Sequence, residues 1–165
     1  MDAFEDVLAG NREYATTFVD EGLPGRAACG LAVVTCMDSR IQPLQMLGLS
    51  RGDAKILRNA GARVTDDVLR TLVLAVALLG VERVLVVPHT DCGMTRRNDQ
   101  EVQEAVLACT GVDARSIDFS TISDQRDTLA RDVQRIRSWP FLPAGLPVAG
   151  AIYDVRSGRL ELVVP

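Results

Sequence analysis

Leu31-Ala32-Val33-Val34-Thr35-Cys36-Met37-Asp38-Ser39-Arg40 is an apolar run of strand length that ends in a thiol, a carboxylate and a guanidinium. Val84-Leu85-Val86-Val87-Pro88-His89-Thr90-Asp91-Cys92 has the same form, and ends in the chain's one histidine and a second thiol. Short apolar runs bounded by polar or turn-forming residues read as strands buried on both faces. Another strand, Ala54 to Arg58, is predicted between them and leads into Asn59-Ala60-Gly61-Ala62. Working outward, Thr65-Asp66-Asp67 caps a helix reaching about Leu79, where Gly80 stops it. Polar-faced helices are predicted over 99–110 and 124–138, and a short one over 41–49 closed by Gly48. Near the amino terminus, Phe4, Val7, Leu8, Tyr14 and Phe18 follow helical spacing, which predicts an amphipathic helix over 2–19. Val148 to Asp154 and Leu160 to Val164 flank a Ser157-Gly158 turn and read as an antiparallel hairpin.

Strands alternating with helices indicate an α/β fold: a mainly parallel central β-sheet with an antiparallel edge strand, flanked by helices. With 165 residues and no repeat or low-complexity stretch, a single domain spanning 1–165 is the expectation. Ligands in such sheets bind beyond the carboxyl ends of the strands. Cys36, Asn59-Ala60-Gly61 and His89 all fall there.

Composition narrows the function. The net charge of -4, with no basic stripe interleaved with aromatics, argues against nucleic-acid binding. The apolar run Val68 to Leu79 is interrupted by Arg70 and falls well short of the ~20 residues a membrane span needs. The acidic start Met1-Asp2-Ala3-Phe4-Glu5-Asp6 does not read as an export signal, so the cytoplasm is the expected compartment. Four cysteines in that compartment point to metal binding or catalysis for Cys36 and Cys92, and to plain thiols for Cys29 and Cys109.

Two thiols, one imidazole and one carboxylate suit a zinc ion with three firm protein ligands and one open position. His89 and Cys92 are close enough to clamp one ion, and Cys36 converges on them if the first and third strands are neighbours, since adjacent strands lie ~4.8 Å apart. Arg40 can grip the Asp38 carboxylate through paired N–H bonds, keeping it ionised and oriented. If Arg40 turned away, Asp38 would be free to become a fourth ligand and close the site. The plainer alternatives are a satisfied buried histidine beside packed cysteines, a surface ion pair between Asp38 and Arg40, and a structural zinc closed by Cys29. The last is disfavoured because seven extended residues separate Cys29 from Cys36 by ~23 Å.

These residues resemble the β-class carbonic anhydrases, whose pattern Cys-x-Asp-Ser-Arg followed by His-x-x-Cys is met by Cys36-Met37-Asp38-Ser39-Arg40 and His89-Thr90-Asp91-Cys92. Arg51-Gly52-Asp53-Ala54-Lys55, Arg58-Asn59-Ala60-Gly61, Gly150-Ala151-Ile152-Tyr153-Asp154 and Ser157-Gly158-Arg159-Leu160 also look like family segments. The compact length and the His-Thr-Asp-Cys-Gly-Met wording resemble the short, archaeal-type branch. The resemblance implies reversible hydration of carbon dioxide to bicarbonate and a proton by zinc-bound hydroxide. It implies one Zn2+ per chain on Cys36, His89 and Cys92, with Asp38 and Arg40 as the catalytic dyad. Lys55, Gly61 and Gly93 are expected to border the substrate pocket. A homodimer or dimer of dimers is implied, with the amino-terminal helix packed on the partner. The family's tryptophan–arginine–tyrosine bicarbonate site has no evident counterpart, since Trp139 is the one tryptophan and Val33 stands three residues before Cys36. The plant-type glutamine is also missing, with Ala27 and Ala28 in that region. The competing readings are a CS2/COS hydrolase on the same scaffold and a non-catalytic zinc-binding regulatory protein. The Asp38–Arg40 pair argues against the second, because a structural zinc needs no such dyad.

Overall fold

The computed structural model describes residues 3–165. Its centre is a five-stranded sheet of β1 (Leu31–Cys36), β2 (Ala54–Asn59), β3 (Arg83–Val87), β4 (Val148–Tyr153) and β5 (Leu160–Val164), in the order β2-β1-β3-β4-β5. β1 runs parallel to both β2 and β3, β3 is parallel to β4, and β5 closes the edge antiparallel to β4. The α/β class, the mostly parallel sheet and the antiparallel edge pair agree with the sequence pattern. Every residue of β1 is buried. That explains why it reads as an unbroken apolar run: both of its faces are covered.

Alternation along the strands sorts the core. Ala32, Val34, Val84, Val86, Val148 and Ile152 face α3 (Asp66–Leu78) and α5 (Gln125–Arg137). α3 presents Val68, Leu69, Leu72 and Ala75, and α5 presents Leu129, Val133 and Ile136, each at helical spacing. Thr65 caps α3, its side chain accepting from the Val68 N–H, with Asp66 and Asp67 placed in the favourable first turn. The opposite face holds Leu31, Val33 and Val87 under Met46, Leu47 and Leu49 from the region of α2 (Pro43–Met46). α4 (Asp99–Thr110) starts with a reciprocal Asn98–Glu101 capping box and ends at left-handed Gly111.

α5 lies close to the sheet at Gly150. A Cβ there would meet Leu129 Cγ at 2.8 Å, inside the distance side-chain carbons tolerate. Gly150→Ala is therefore expected to lower unfolding stability by about 1–3 kcal/mol, the cost of overpacking a filled core. A shift in the urea midpoint at unchanged slope would measure it.

The amino-terminal helix forms as α1 (Glu5–Thr17), shorter than the 2–19 expected. Asp2 lies outside the described residues. α1 buries none of its residues, and Val7, Leu8, Tyr14 and Phe18 stay exposed. Phe18 touches Tyr14 and lies under the Arg51 guanidinium. Among the described residues no helix is long and apolar enough to cross a membrane.

Candidate metal centre

The adjacency of β1 and β3 brings the two motifs together. Thr35 Oγ1 donates to the Val87 carbonyl at 2.8 Å and ties the ends of the two strands. Beyond β3, Tyr153 N–H donates to Pro88 O and Thr90 N–H donates to Tyr153 O, so β4 fixes the backbone on both sides of His89. Gln125, in the first turn of α5, donates its side-chain N–H to the His89 carbonyl at 2.8 Å. A 3-10 turn over Gly93–Thr95 then follows Cys92.

Cys36, His89 and Cys92 are 4%, 0% and 2% exposed. Their ligand atoms all lie within 4.8 Å of one another, and the two sulfurs are 4.0 Å apart. Tetrahedral zinc with Zn–S of ~2.3 Å places two sulfurs about 3.8 Å apart, so the spacing fits. His89 Nδ1 lies 2.8 Å from the Thr90 carbonyl, which can only accept, so Nδ1 carries the proton and Nε2 is left as a lone pair. Among the described residues, His89 Nε2 is the one buried side-chain nitrogen or oxygen without a hydrogen-bond partner. A buried imidazole nitrogen, unpaired and aimed between two thiols, is what a metal ligand requires.

The thiols titrate as a unit. The hydrogen bond from Cys92 favours the Cys36 thiolate, helped by His89 and by the Gly61 N–H, whose nitrogen is 3.4 Å from Sγ, against the opposing cost of burial. Cys92 is pushed up by its hydrogen bond to Cys36 and by burial. The pair thus favours a thiolate at Cys36 and a thiol at Cys92, and a divalent cation bound there would displace the remaining proton. Burial works against protonating His89, but the neighbouring Cys36 outweighs it and the net direction is upward.

Beside this group, Arg40 grips Asp38 with two parallel bonds, Nε to Oδ1 at 2.9 Å and Nη2 to Oδ2 at 2.8 Å. The Arg40 backbone N–H adds a third bond to Oδ1. These donors hold the Asp38 carboxyl well below the usual carboxylate range and the guanidinium above its own. Asp38 Oδ2 stands 3.7 Å from His89 Nε2, at the edge of the metal group. Asp38, Ser39, Arg40, Asp91, Gly93 and Arg96 line an open cavity of about 510 Å³.

The residues expected at the pocket are distributed differently. Gly93 borders the cavity. Gly61 faces the Cys36 sulfur, at φ 78°, with Ile122 and Met94 too close to admit a side chain easily. Lys55 lies at the far end of its strand. It pairs with Ala32 near the start of β2, about 13 Å along the strand from the metal end, and its Nζ donates to the Gly25 carbonyl. In a parallel sheet an early strand residue lies at the end opposite the ligands.

The sequence reading gave no role to Arg58, and the structure gives it one. Its Nε donates to Cys36 O at 2.9 Å, Nη1 to Ile41 O at 3.3 Å and Nη2 to Asp38 O at 2.6 Å. One side chain thus fastens the backbone of the loop that carries both Cys36 and the dyad. Arg58→Ala should weaken metal binding about 10–100-fold, the usual effect of losing a group that orients a ligand. Chelator competition would read it.

Comparison with known proteins places this geometry. Residues 31–160 match the carbonic anhydrase family. The chain belongs to the β-class carbonic anhydrases. It is 34% identical to Beta-carbonic anhydrase 1 of Mycobacterium tuberculosis, over the full length of both. The crystal structure of carbonic anhydrase from Streptococcus mutans superimposes with a TM-score of 0.93 at 39% identity, covering 99% of this chain and 98% of that one. A carbon disulfide hydrolase from Acidianus sp. is 31% identical, with 90% of this chain and 83% of that protein aligned. This β-class carbonic anhydrase family enzyme therefore carries its metal-binding Cys/His/Cys group where β1 and β3 end.

Proposed function

We propose that this chain catalyses the reversible hydration of carbon dioxide to bicarbonate and a proton, with one zinc ion per chain held by Cys36, His89 and Cys92. The observation that carries the reading is the unpaired His89 Nε2 between two buried thiols, beside a carboxylate that Arg40 keeps ionised. Two thiolates and an imidazole favour zinc among the common divalent metals. Bound there, zinc supplies a Lewis acid that makes water nucleophilic near neutral pH. Asp38 Oδ2 serves as the hydrogen-bond acceptor that orients the attacking water, and Arg40 keeps Asp38 turned away from the metal position. With the chain's one histidine used as a ligand, proton release falls to Asp38, solvent or buffer, and turnover should rise with buffer concentration.

The exposed apolar side chains of α1 suit packing against a second copy, so a homodimer or dimer of dimers is the proposed assembly. The free thiols suit a cytoplasmic setting. The full-length match to the mycobacterial protein suits a compact branch of the class; that relative is bacterial, so the archaeal-type label rests on motif wording alone.

A second reading is hydrolysis of CS2 or COS at the same site, favoured by the similarity to the Acidianus carbon disulfide hydrolase. Stopped-flow CO2 hydration by zinc-quantified protein from about pH 7 to 9, with parallel CS2 and COS assays, decides between them. Zinc-dependent hydration that rises with pH is expected. Zinc at one per chain with CS2 or COS turnover alone would overturn the hydration reading in favour of the second. Zinc with no turnover of any of the three would leave a non-catalytic zinc protein.

A further inference from the structure

The Arg40 guanidinium is held at both ends. One edge pairs with Asp38, as described. At the other end Nη1 donates to Asp91 Oδ2 at 2.9 Å and Nη2 to the Asp91 carbonyl at 3.1 Å. Asp91 is held in turn by Arg96, which donates to Oδ1. The four side chains form an alternating row: carboxylate, guanidinium, carboxylate, guanidinium.

Asp91 is well placed for this task. It sits between the two metal-group residues His89 and Cys92, in a turn fastened by Thr90 N–H to Tyr153 O and Thr95 N–H to Cys92 O. Its φ of 59° is left-handed, a conformation aspartate and asparagine adopt more readily than other side-chain-bearing residues. Arg40, by contrast, is 45% exposed on a loop and has no comparable support of its own. Without Asp91 the guanidinium would be free to leave Asp38, whose Oδ2 lies 3.7 Å from His89 Nε2.

We propose that Asp91, itself held by Arg96, is a positioning residue that keeps Arg40 on Asp38 and so keeps Asp38 out of the metal's coordination sphere. This rests on the proposed metal site and hydration chemistry. Asp91 lies outside the Cys36–His89–Cys92 group and acts through Arg40.

The test uses Asp91→Asn, which preserves the left-handed backbone and one acceptor oxygen but removes the charge, together with Arg40→Ala and the double variant. Three readouts are taken on the full-length protein: metal per chain, the visible spectrum of the Co(II)-substituted protein, and kcat and KM for CO2. Asp91→Asn should bind the same amount of metal and lower kcat about 10-fold with little change in KM. Its Co(II) bands should shift toward those of Arg40→Ala. The double variant should be no worse than Arg40→Ala alone, as expected of residues acting in one chain of contacts. Asp91→Glu should recover part of the loss. A Co(II) spectrum of Asp91→Asn that matches the unmodified protein overturns the proposal. So does a loss of kcat that adds fully to that of Arg40→Ala, or a fall in metal content, which would assign Asp91 to shaping the ligand turn. The spectrum is read whether or not the protein hydrates CO2. Failure of the hydration reading would show as an inactive unmodified protein, and failure of this inference as unshifted Co(II) bands.

Discussion

Cys36→Ala should bring zinc from one per chain to near zero and CO2 hydration down by more than the 10–100-fold that a ligand's outer partners carry. The reason lies in the ligand count. The site offers three buried protein ligands, and a metal left with one sulfur and one nitrogen has lost the thiolate whose charge is favoured before any cation arrives. The lost sulfur cannot be replaced by a neighbour: Cys29 and Cys109 are exposed and outside the group. Alanine at this position is small and apolar, and it faces Ile41 and Met46, so the fold should persist. Metal quantification, stopped-flow hydration and far-ultraviolet circular dichroism on one sample make the check. Full zinc occupancy in the variant would remove Cys36 from the ligand set.

Arg40→Ala should behave differently: zinc retained, kcat reduced about 10–100-fold. The variant strips Asp38 of its two guanidinium bonds and leaves the backbone N–H as its remaining donor to that carboxylate. Since the Arg40 side chain is the largest influence lowering the Asp38 pKa, its removal moves that pKa upward. A carboxylate with a depressed pKa stays ionised as pH falls; with the depression relieved it takes up a proton sooner. Any residual activity of the variant should therefore fall away at a higher pH on the acidic side than that of the unmodified protein. Coincident acid limbs in the two pH–rate profiles would show that Asp38 is not the group being read.

Much of this architecture was legible in the sequence because the informative patterns are local. β1 reads as a strand since both of its faces are buried, and α3 reads as a helix since Val68, Leu69, Leu72 and Ala75 repeat on one side behind a Thr65 cap. Cys36, His89 and Cys92 stood out because their chemistry is rare and each sits where a strand ends. What escaped depends on register and on side chains that cross between elements. Arg58 reaches carbonyls on another loop, and nothing in its neighbours marks that reach. Asp91 meets Arg40 from 51 residues away, a contact that no local pattern marks. The distance of Lys55 from the metal end likewise follows from strand register, which the sequence does not print. α1 kept its helical period, but periodicity does not say which surface receives the apolar side, and within one chain none does.

The fastening of His89 to β4 and α5 has a consequence for synthesis. Cys36 and Cys92 are already 56 positions apart, so the first ligand leaves the ribosome long before the last. The imidazole is aimed only once Gln125 and then Tyr153 have emerged to hold the carbonyl of His89 and the N–H of Thr90. A nascent chain should therefore capture zinc late, after nearly all of it has been made, and products cut short before β4 should carry both sulfurs and still fail to retain the ion.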